Sequence, residues 1–248
     1  MTIQGNDTVE IRRKEDRFQT YASWLQSRHS LSFANHYDPT NTHHGFLLVH
    51  NDDLVRPNTG FRTHPHQDVE IVTWVLDGEL EHKDSEGNHG IIYPGLAQRM
   101  SAGTGIWHSE MNPKSDKPVH FIQMWVPPDT ERIAPSYEQL DINGQLKKGG
   151  LVPIASGRGH EAAISIRQNG TVLWAGRLGS GETVTVPDAP YVHVFVAKGS
   201  TRLEDVGVLN AGDKARLTRA GGRLQRSTMV PKSSFRRPPG RWKDKVEG

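Results

Sequence analysis

A chain of 248 residues is long enough to bury one large hydrophobic core or two half-size ones. Its 25 glycines and 15 prolines favour a turn-rich β protein over a helical one. The lack of cysteine excludes disulfides and thiolate chemistry. No apolar run approaches the length of a membrane span, and the first residues lack the apolar core of a signal peptide. We therefore expect a cytoplasmic protein.

The formal net charge of +2 hides an uneven distribution of charge along the chain. Residues 214–248 contain 11 of the 30 lysines and arginines but two of the 28 acids, which leaves 19 bases and 26 acids in the preceding residues. The body is therefore acidic and the C-terminal part basic. The isoelectric point of about 8.8 does not indicate a nucleic-acid-binding protein.

The first predicted strand is Thr8–Arg12, where apolar and polar residues alternate. Residues 21–39 form a loop-rich stretch with several aromatic side chains. Residues 45–50 are expected to form a strand. Residues 51–53, an asparagine and two aspartates, are expected to turn the chain into Leu54 and Val55.

Two short motifs carry the chemistry of the chain: His64-Pro65-His66 and His108-Ser109-Glu110. Side chains two residues apart in an extended strand point to the same face of a sheet. Each motif can therefore present two donor atoms to one interior. Three imidazoles and one carboxylate on one side of an ion, with the other side open, suit a non-haem Fe(II)-type centre.

The sequence between these two motifs predicts antiparallel strands joined by tight turns. Residues 70–76 are rich in β-branched and aromatic residues, as strands are. Turn residues follow at 77–78, 86–88, 94–95 and 103–105. The segment is typical of a small β-barrel whose ligands point inward.

The motifs resemble those of cupins. Residues 60–70, with a His-x-His pair followed by Glu70, are similar to the first cupin motif, and residues 105–108 to the Gly-x-x-His of the second. Together with residues 30–33 and 100–110 they resemble the pirin family of bicupins, and in particular bacterial pirin-like proteins described as quercetin 2,3-dioxygenases. The resemblance extends from about residue 9 to residue 217, with its specific motifs in the first half.

The resemblance implies an all-β bicupin, with two tandem antiparallel β-barrels of jelly-roll type and a degenerate C-terminal barrel. We predict an N-terminal metal-binding barrel over residues 1–130 and an inter-domain crossing over residues 131–150, with a short helical turn near residues 136–140. The C-terminal barrel is predicted over residues 151–222. It contains His193 but no His-x-His or His-x-Glu pair, so no metal is expected there.

The last segment, residues 223–248, departs from the family pattern. A pirin would close its second barrel with an apolar strand, whereas here the sequence is basic and rich in proline, without alternation. We predict a disordered tail, with a missing closing strand and an exposed sheet edge. A nucleic-acid-binding arm is the alternative interpretation, but the tail has no folded motif.

Other residues near the motifs receive structural interpretations. Glu70 shares strand parity with the first histidine pair, and we expect it to orient an imidazole rather than bind the ion. His82 and His120 are expected to be hydrogen-bonded structural residues. Trp107 is expected to face away from the ion and pack in the core. A separate pair, His43 and His44, is expected in a surface loop, and Gly103 and Gly105 are expected where backbone freedom is needed.

The resemblance implies a metal-dependent dioxygenase that cleaves a flavonol such as quercetin or a related enol with dioxygen. Its implied metal ligands are His64, His66, His108 and Glu110, with Fe(2+) as the expected ion among several that mixed N and O ligands accept. Glu110 is also the candidate catalytic base. The alternative is an iron-binding regulatory or redox-sensor protein that acts on a transcription-regulator partner, and a cupin isomerase is a third possibility. The sequence leaves the substrate, the metal and the oligomeric state open.

Overall fold

The structure, a computed structural model, describes residues 8–220 and 222–226. Its elements are almost all strands. The first twelve are β1 (Thr8–Arg12), β2 (Phe18–Tyr21), β3 (Leu25–His29), β4 (Val49–Val55), β5 (Gly60–His66), β6 (Glu70–Asp77), β7 (Leu80–Asp84), β8 (His89–Ile92), β9 (Leu96–Ser101), β10 (Ile106–Met111), β11 (Val119–Val126) and β12 (Ser136–Asp141).

The second half of the chain begins with the short helix α1 (Asn143–Leu146). The strands that follow are β13 (Val152–Ser156), β14 (Ile164–Ser165), β15 (Val172–Ala175), β16 (Thr183–Thr185), β17 (Tyr191–Phe195), β18 (Ser200–Leu203), β19 (Gly207–Asn210), β20 (Lys214–Thr218) and β21 (Arg223–Arg226). A single 3-10 turn at Lys14–Asp16 separates β1 from β2. The all-β prediction is confirmed, and no helix in the described part of the chain is long and apolar enough to cross a membrane.

The first barrel is made of two antiparallel sheets. One has seven strands in the order β12-β9-β6-β11-β4-β3-β2, and the other has four in the order β5-β10-β7-β8. Alternate residues of each strand point into the space between the sheets, where apolar side chains such as Leu80, Ile92, Val119 and Phe121 are fully buried. Burial of each such side chain contributes about 1.5–3 kcal/mol.

The second barrel contains three smaller sheets, in the orders β1-β20-β17, β14-β13-β15 and β16-β21-β18-β19. The bicupin prediction is therefore confirmed. The outer face of β6, β9 and β11 packs on β13 and β14, and Val72, Ala97 and Val126 meet Ile154 and Ile164 in one apolar cluster. The two barrels thus share a continuous hydrophobic interface.

Strand β1 crosses from the N-terminus into the second barrel. It pairs with β20 over its whole length, from Thr8 opposite Thr218 to Arg12 opposite Lys214. The predicted first strand is confirmed, but its assignment to an N-terminal barrel over residues 1–130 is wrong. The N-terminal segment ties the two barrels together because both ends of the described chain contribute strands to the second one.

Three predictions of local structure are wrong. The strand expected over residues 45–50 begins only at Val49, because residues 45–48 belong to the segment that joins β3 to β4. Residues 51–53 lie inside β4 instead of forming a turn, because their polar side chains are buried and hydrogen-bonded: Asn51 to His29, and Asp52 to Arg17 and His120. Residues 136–140 form strand β12, paired with β9, and not a helical turn. The helical turn lies just after it, in α1.

The predicted loss of the closing strand is also wrong where the chain is described. Arg223–Arg226 forms β21, which lies between β16 and β18, so a strand is present at this position in the sheet. Backbone hydrogen bonds do not depend on side-chain polarity, and Leu224 supplies one apolar contact to the core of the barrel. The remainder of the predicted tail, residues 227–248, lies outside the described residues.

Candidate metal centre

Strands β5 and β10 bring the two histidine motifs together. They are antiparallel, with His108 directly opposite His64, and side chains in such a cross-strand pair lie side by side. A β-bulge between His108 and Glu110 shifts the register by one residue on the β5 side. The His-x-His spacing and the register of this one strand pair therefore suffice to place three imidazoles in the mouth of the first barrel.

The three imidazoles converge on one point. One ring nitrogen from each of His64, His66 and His108 lies within 4.8 Å of the other two. The Nε2 atoms of His64 and His108 are 3.1 Å apart. Nδ1–H of His64 donates to the carbonyl of Arg62 over 2.7 Å, which leaves the lone pair of His64 Nε2 facing the cluster.

Burial keeps the imidazoles of His66 and His108 neutral. It lowers the pKa of His66 to about 4, with His108 and His64 adding to the effect, and it lowers the pKa of His108 to about 3, with help from His64 and His82. Metal ions bind the neutral imidazole, so at neutral pH His66 and His108 are in the protonation state that coordination requires.

One ring nitrogen of His66 indicates whether these residues fit a metal ion. This nitrogen, Nε2, is buried and has no hydrogen-bond partner. A buried polar atom without a partner costs about 1–3 kcal/mol, so its retention needs a reason. An ion held by three imidazole nitrogens would supply one, and the donor set suits a divalent first-row metal. The residues present therefore fit a metal site.

Glu110 is buried next to the cluster but is held by neutral donors. Its Oε1 accepts from the hydroxyl of Thr73 at 3.2 Å, and its Oε2 accepts from Nε2 of Gln123 at 2.7 Å. The group of atoms within 4.8 Å of one another does not include its carboxylate. The sequence prediction that Glu110 points into the same interior agrees with this position, and its role as a ligand stays a prediction.

A chain of contacts joins Glu110 to an aromatic wall. Nε1–H of Trp125 donates to Oε1 of Gln123 over 3.0 Å, and Gln123 in turn donates to Glu110. The Trp125 ring meets the His66 ring edge to face, with centroids 4.9 Å apart, and meets Phe33 in the same way at 5.6 Å. Trp125 therefore contacts both the imidazole cluster and the group that holds the carboxylate.

His82 and His120 have the structural roles expected of them. Nε2–H of His82 donates to Oδ2 of the buried Asp84 over 3.0 Å, and the His82 ring lies 5.4 Å from that of His108. His120 hydrogen-bonds Asp52 at 2.6 Å on the outer face of the sheet. His82 thus supports the cluster from beneath. His120 contacts Asp52, whose other partner Arg17 donates to the carbonyl of Gly212 in the second barrel.

The glycines before the ligand strand are where backbone freedom is needed. Gly103 and Gly105 have φ angles of 50° and 138°, which side-chain-bearing residues rarely adopt, and a Cβ on Gly103 would lie 2.0 Å from the carbonyl oxygen of Ile133. Beside them is an open depression of about 400 Å³. It is lined by Pro65, His66, Gln67, Gly105, Ile106 and Trp107.

Two predictions about neighbouring residues need correction. Glu70 does not orient an imidazole: it accepts from Ser101 Oγ and from the backbone N–H of Arg167 in the second half of the chain. Its parity with His66 is lost because the chain turns at Asp68, with φ of 47°. Trp107 faces away from the cluster as expected, but it is 54% exposed and not part of the core.

The histidine pair before β4 also differs from expectation. His43 is exposed, but His44 is half-buried and donates to the carbonyl of Val192 in the second barrel over 3.2 Å. It is therefore an inter-barrel contact and not a surface residue.

Several residues of the site were not identified from the sequence. Thr73 and Gln123 are buried polar residues in strands whose other interior positions are mostly apolar, and the buried Asp84 side chain lies at the end of β7. Strand parity could have found Gln123 and Trp125, since they alternate with outward-facing residues on β11. Asp53, a further buried carboxyl of this barrel, has its pKa raised to about 7 by burial and by the charges of Asp52 and Glu110.

Two packed antiparallel barrels, with a histidine cluster in the mouth of the first, define a two-domain cupin. The sequence model of the Pirin family matches residues 11–126. A Mycobacterium tuberculosis protein named "Putative quercetin 2,3-dioxygenase" is 58% identical over 217 residues, which are 87% of this chain and 89% of that protein. The chain therefore belongs to the pirin family.

Two Escherichia coli proteins extend the comparison. One named quercetin 2,3-dioxygenase is 47% identical over 131 residues, covering 53% of this chain and 57% of that protein. The crystal structure of the bacterial pirin YhhW in complex with nickel(II) matches with a TM-score of 0.82 at 32% identity. The match covers 90% of this chain and 95% of that one. The similar fold thus includes a protein that holds a divalent metal.

Proposed function

We propose that this protein is a metal-dependent dioxygenase that opens the ring of a flavonol such as quercetin, or of a related enol, with dioxygen. The observation that carries the proposal is the convergence of three imidazoles, one with a buried and unpartnered nitrogen, beside the buried carboxylate of Glu110. Relatives named quercetin 2,3-dioxygenase support the substrate class.

The proposed ligands are His64, His66, His108 and Glu110, and Fe(II) is the proposed ion. A divalent ion supplies positive charge that acidifies the 3-hydroxyl of the flavonol and polarises its oxygen. In the overall reaction both atoms of dioxygen enter the products, carbon monoxide leaves, and no external reductant is consumed. Nickel(II) in the similar E. coli structure supports a divalent ion but does not choose among the metals.

Glu110 is the proposed base for the substrate hydroxyl. A base must lie within hydrogen-bond reach of the proton that it accepts and must be ionised beforehand. The donors Thr73 and Gln123, one to each carboxylate oxygen, hold the carboxylate in place. The carboxylate is therefore poised to accept a proton close to the imidazole cluster.

The walls of the opening suit a flat aromatic substrate. Phe33 and Trp125 meet edge to face on one side of the cluster, and Ile106 lies in the depression on the other. Planar apolar surfaces bind a flat ring by burial and by aromatic contacts, which contribute about 0.5–1.5 kcal/mol each. They also restrict the access of water to the reacting oxygen.

The test begins with the purified protein loaded with Fe(II) in the absence of oxygen. Quercetin and air are then added, and flavonol absorbance, oxygen uptake and carbon monoxide are followed together. We expect loss of the absorbance with one oxygen consumed per flavonol, and at least a hundredfold decrease in rate in His64→Ala and Glu110→Ala. His89→Ala, a change at an exposed histidine of β8, is the control and should keep the wild-type rate.

Tight binding of metal without turnover of any flavonol would overturn the proposal. It would favour the alternative in which a pirin-type protein senses iron and acts through a protein partner.

A further inference from the structure

The segment between β3 and β4, residues 30–48, has little regular structure of its own. We call it the mouth loop. Within it, two isolated β-bridges join Phe33 to His36 and His44 to Leu47. Its ends attach to the first barrel through Ser30 N–H, which donates to the carbonyl of His50, and Leu48 N–H, which donates to that of Trp125. Most of the loop therefore needs other contacts to hold one conformation.

The mouth loop carries Phe33 to the edge of the metal centre. Phe33 stacks on His29 with centroids 5.2 Å apart and meets Trp125 edge to face at 5.6 Å. Trp125 in turn contacts His66, one of the three clustered imidazoles, at 4.9 Å. The position of the loop thus sets the position of the outermost ring in this aromatic row.

Strand β20 of the second barrel contacts the back of the loop with two long side chains, those of Lys214 and Arg216. Lys214 Nζ donates to the carbonyl of Ser30 over 2.6 Å. Arg216 donates to the same carbonyl at 3.2 Å and also to Oδ1 of Asn41. One end and the middle of the loop are therefore held by adjacent same-face residues of a single strand.

Strand β17, the neighbour of β20, holds the far side of the loop. His44 donates to the carbonyl of Val192 over 3.2 Å, and its ring meets that of Tyr191 edge to face at 5.4 Å. Gly45 lies against Tyr191 as well, and a Cβ there would come within 3.0 Å of the Tyr191 side chain. The loop is thus packed on the sheet of the second barrel at three separate points.

The burial of these two side chains makes the contacts specific. Lys214 is 1% and Arg216 6% exposed, and lysine and arginine are almost never buried without partners. Lys214 forms no ion pair within 4.0 Å in the described part of the chain, and its Nζ donates to the loop carbonyl instead. Moving the loop away would leave both side chains buried without these acceptors, which penalises other loop conformations.

We propose that the second barrel is the anchor of the mouth loop. In this role Lys214 and Arg216 are positioning residues that hold Phe33 against Trp125 and so set the width of the opening above the metal centre. The anchoring itself is independent of the reaction. Its consequence for a flat substrate rests on the proposed function.

Hydrogen–deuterium exchange tests the anchoring without any substrate. In Arg216→Met, we expect amides of residues 31–47 to exchange about tenfold to a hundredfold faster, the range for loss of hydrogen bonds to a charged group. Amides of β5 and β10 should keep wild-type rates. The control is Arg13→Met, since Arg13 also joins N-terminal residues to the second barrel, through Asp213 and the carbonyl of Val208, but does not touch the loop.

The proposal would be overturned if the loop amides of folded Arg216→Met exchange at the wild-type rate. It would also be overturned if Arg13→Met accelerates the exchange of these amides equally. Should Arg216→Met not fold, Arg216→Lys keeps the charge but lacks the planar fork, and it should show a smaller acceleration confined to the same amides. Asn41→Ala, combined with Arg216→Met, should add less than twofold because both remove one contact.

Enzyme kinetics test the consequence of the anchoring for the substrate. If quercetin is a substrate, Arg216→Met should raise KM about tenfold while nickel(II) affinity stays unchanged, because the imidazoles are not altered. If no flavonol turns over, the proposed function fails, but the exchange result still decides the anchoring.

Discussion

Gln123 donates to Glu110 through Nε2 over 2.7 Å while its Oε1 accepts from the indole of Trp125 at 3.0 Å. An indole N–H is a donor and never an acceptor, so Trp125 fixes which end of the amide faces the carboxylate. A flipped amide would place its oxygen against Glu110 and repel it. Trp125 therefore determines, through Gln123, which group of the amide faces the Glu110 carboxylate.

The first prediction concerns the donor itself. Gln123→Leu removes one of the two hydrogen-bond donors to the buried Glu110 carboxylate, and an uncompensated buried acceptor costs about 1–3 kcal/mol. We expect the free energy of unfolding of the metal-free protein, measured by urea denaturation, to fall by that amount. Gln145→Leu, at an exposed position in α1, is the control and should change it by less than about 0.5 kcal/mol. Equal stability of the two variants would contradict the assignment.

The second prediction separates the indole N–H from the ring. Trp125→Phe keeps an aromatic ring beside His66 and Phe33 but frees the amide of Gln123 to flip. Loss of a group that orients a ligand typically lowers metal affinity about tenfold to a hundredfold, so nickel(II) affinity measured by calorimetry should fall within that range. Trp24→Phe makes the same chemical change beside Phe61, in the apolar layer of the barrel, and should leave affinity within about twofold. A similar loss in both variants would show that ring size matters and not the hydrogen bond.

Much of the imidazole cluster could be predicted from the sequence because it depends on a local rule. Side chains two residues apart in a strand share a face, and His64, His66 and His108 need one strand pairing to meet. The same rule gave a wrong prediction for Glu70, because Asp68, a residue with positive φ, turns the chain between β5 and β6. Parity holds within a strand but not across a turn.

Long-range burial could not be predicted in the same way. Lys214 belongs to the basic C-terminal part of the sequence, and composition gives no sign that its Nζ lies buried against Ser30. The polar residues 51–53 resemble a turn until their partners His29, Arg17 and His120 are placed around them by other strands. The burial and the partners of such side chains can be predicted only when the pairing of distant strands is known.

The third prediction tests β21, which the sequence did not indicate. This strand pairs with β16 on one side and β18 on the other, and its half-buried Leu224 joins the core of the second barrel. Burial of a half-covered leucine contributes about 1–2 kcal/mol, so a chain ending at Gly222 should melt roughly 2–8 °C below one ending at Arg226. Leu224→Ala in the full chain should lie between them. Identical melting temperatures of the two truncated chains would show that β21 adds no stability.

The last prediction follows from the burial of Lys214, which lowers its pKa from 10.5 to about 6; the charges of Arg216, Arg12 and Arg17 act in the same direction, and Glu10 opposes them. Above about pH 6 the folded protein releases this proton, whereas the unfolded chain keeps it up to about pH 10. The unfolded state therefore binds more protons in this window, and stability rises with pH. Stability gained in this way is lost as pH falls toward 6.

Between pH 7.5 and 9.5 the free energy of unfolding should increase by about 1 kcal/mol per pH unit from this group, since one unit of pKa corresponds to about 1.4 kcal/mol. Lys214→Met removes the titrating amine. In urea denaturation at several pH values, we therefore expect the increase in the free energy of unfolding per pH unit, the pH slope, to be smaller by that amount. Lys198→Met is the matched control, because Lys198 also donates to a carbonyl of the first barrel, that of Leu76, but is exposed. Its slope should equal that of the wild type. A wild-type slope in Lys214→Met would mean that the buried amine keeps its proton, and that Ser30 faces an ammonium throughout this pH range.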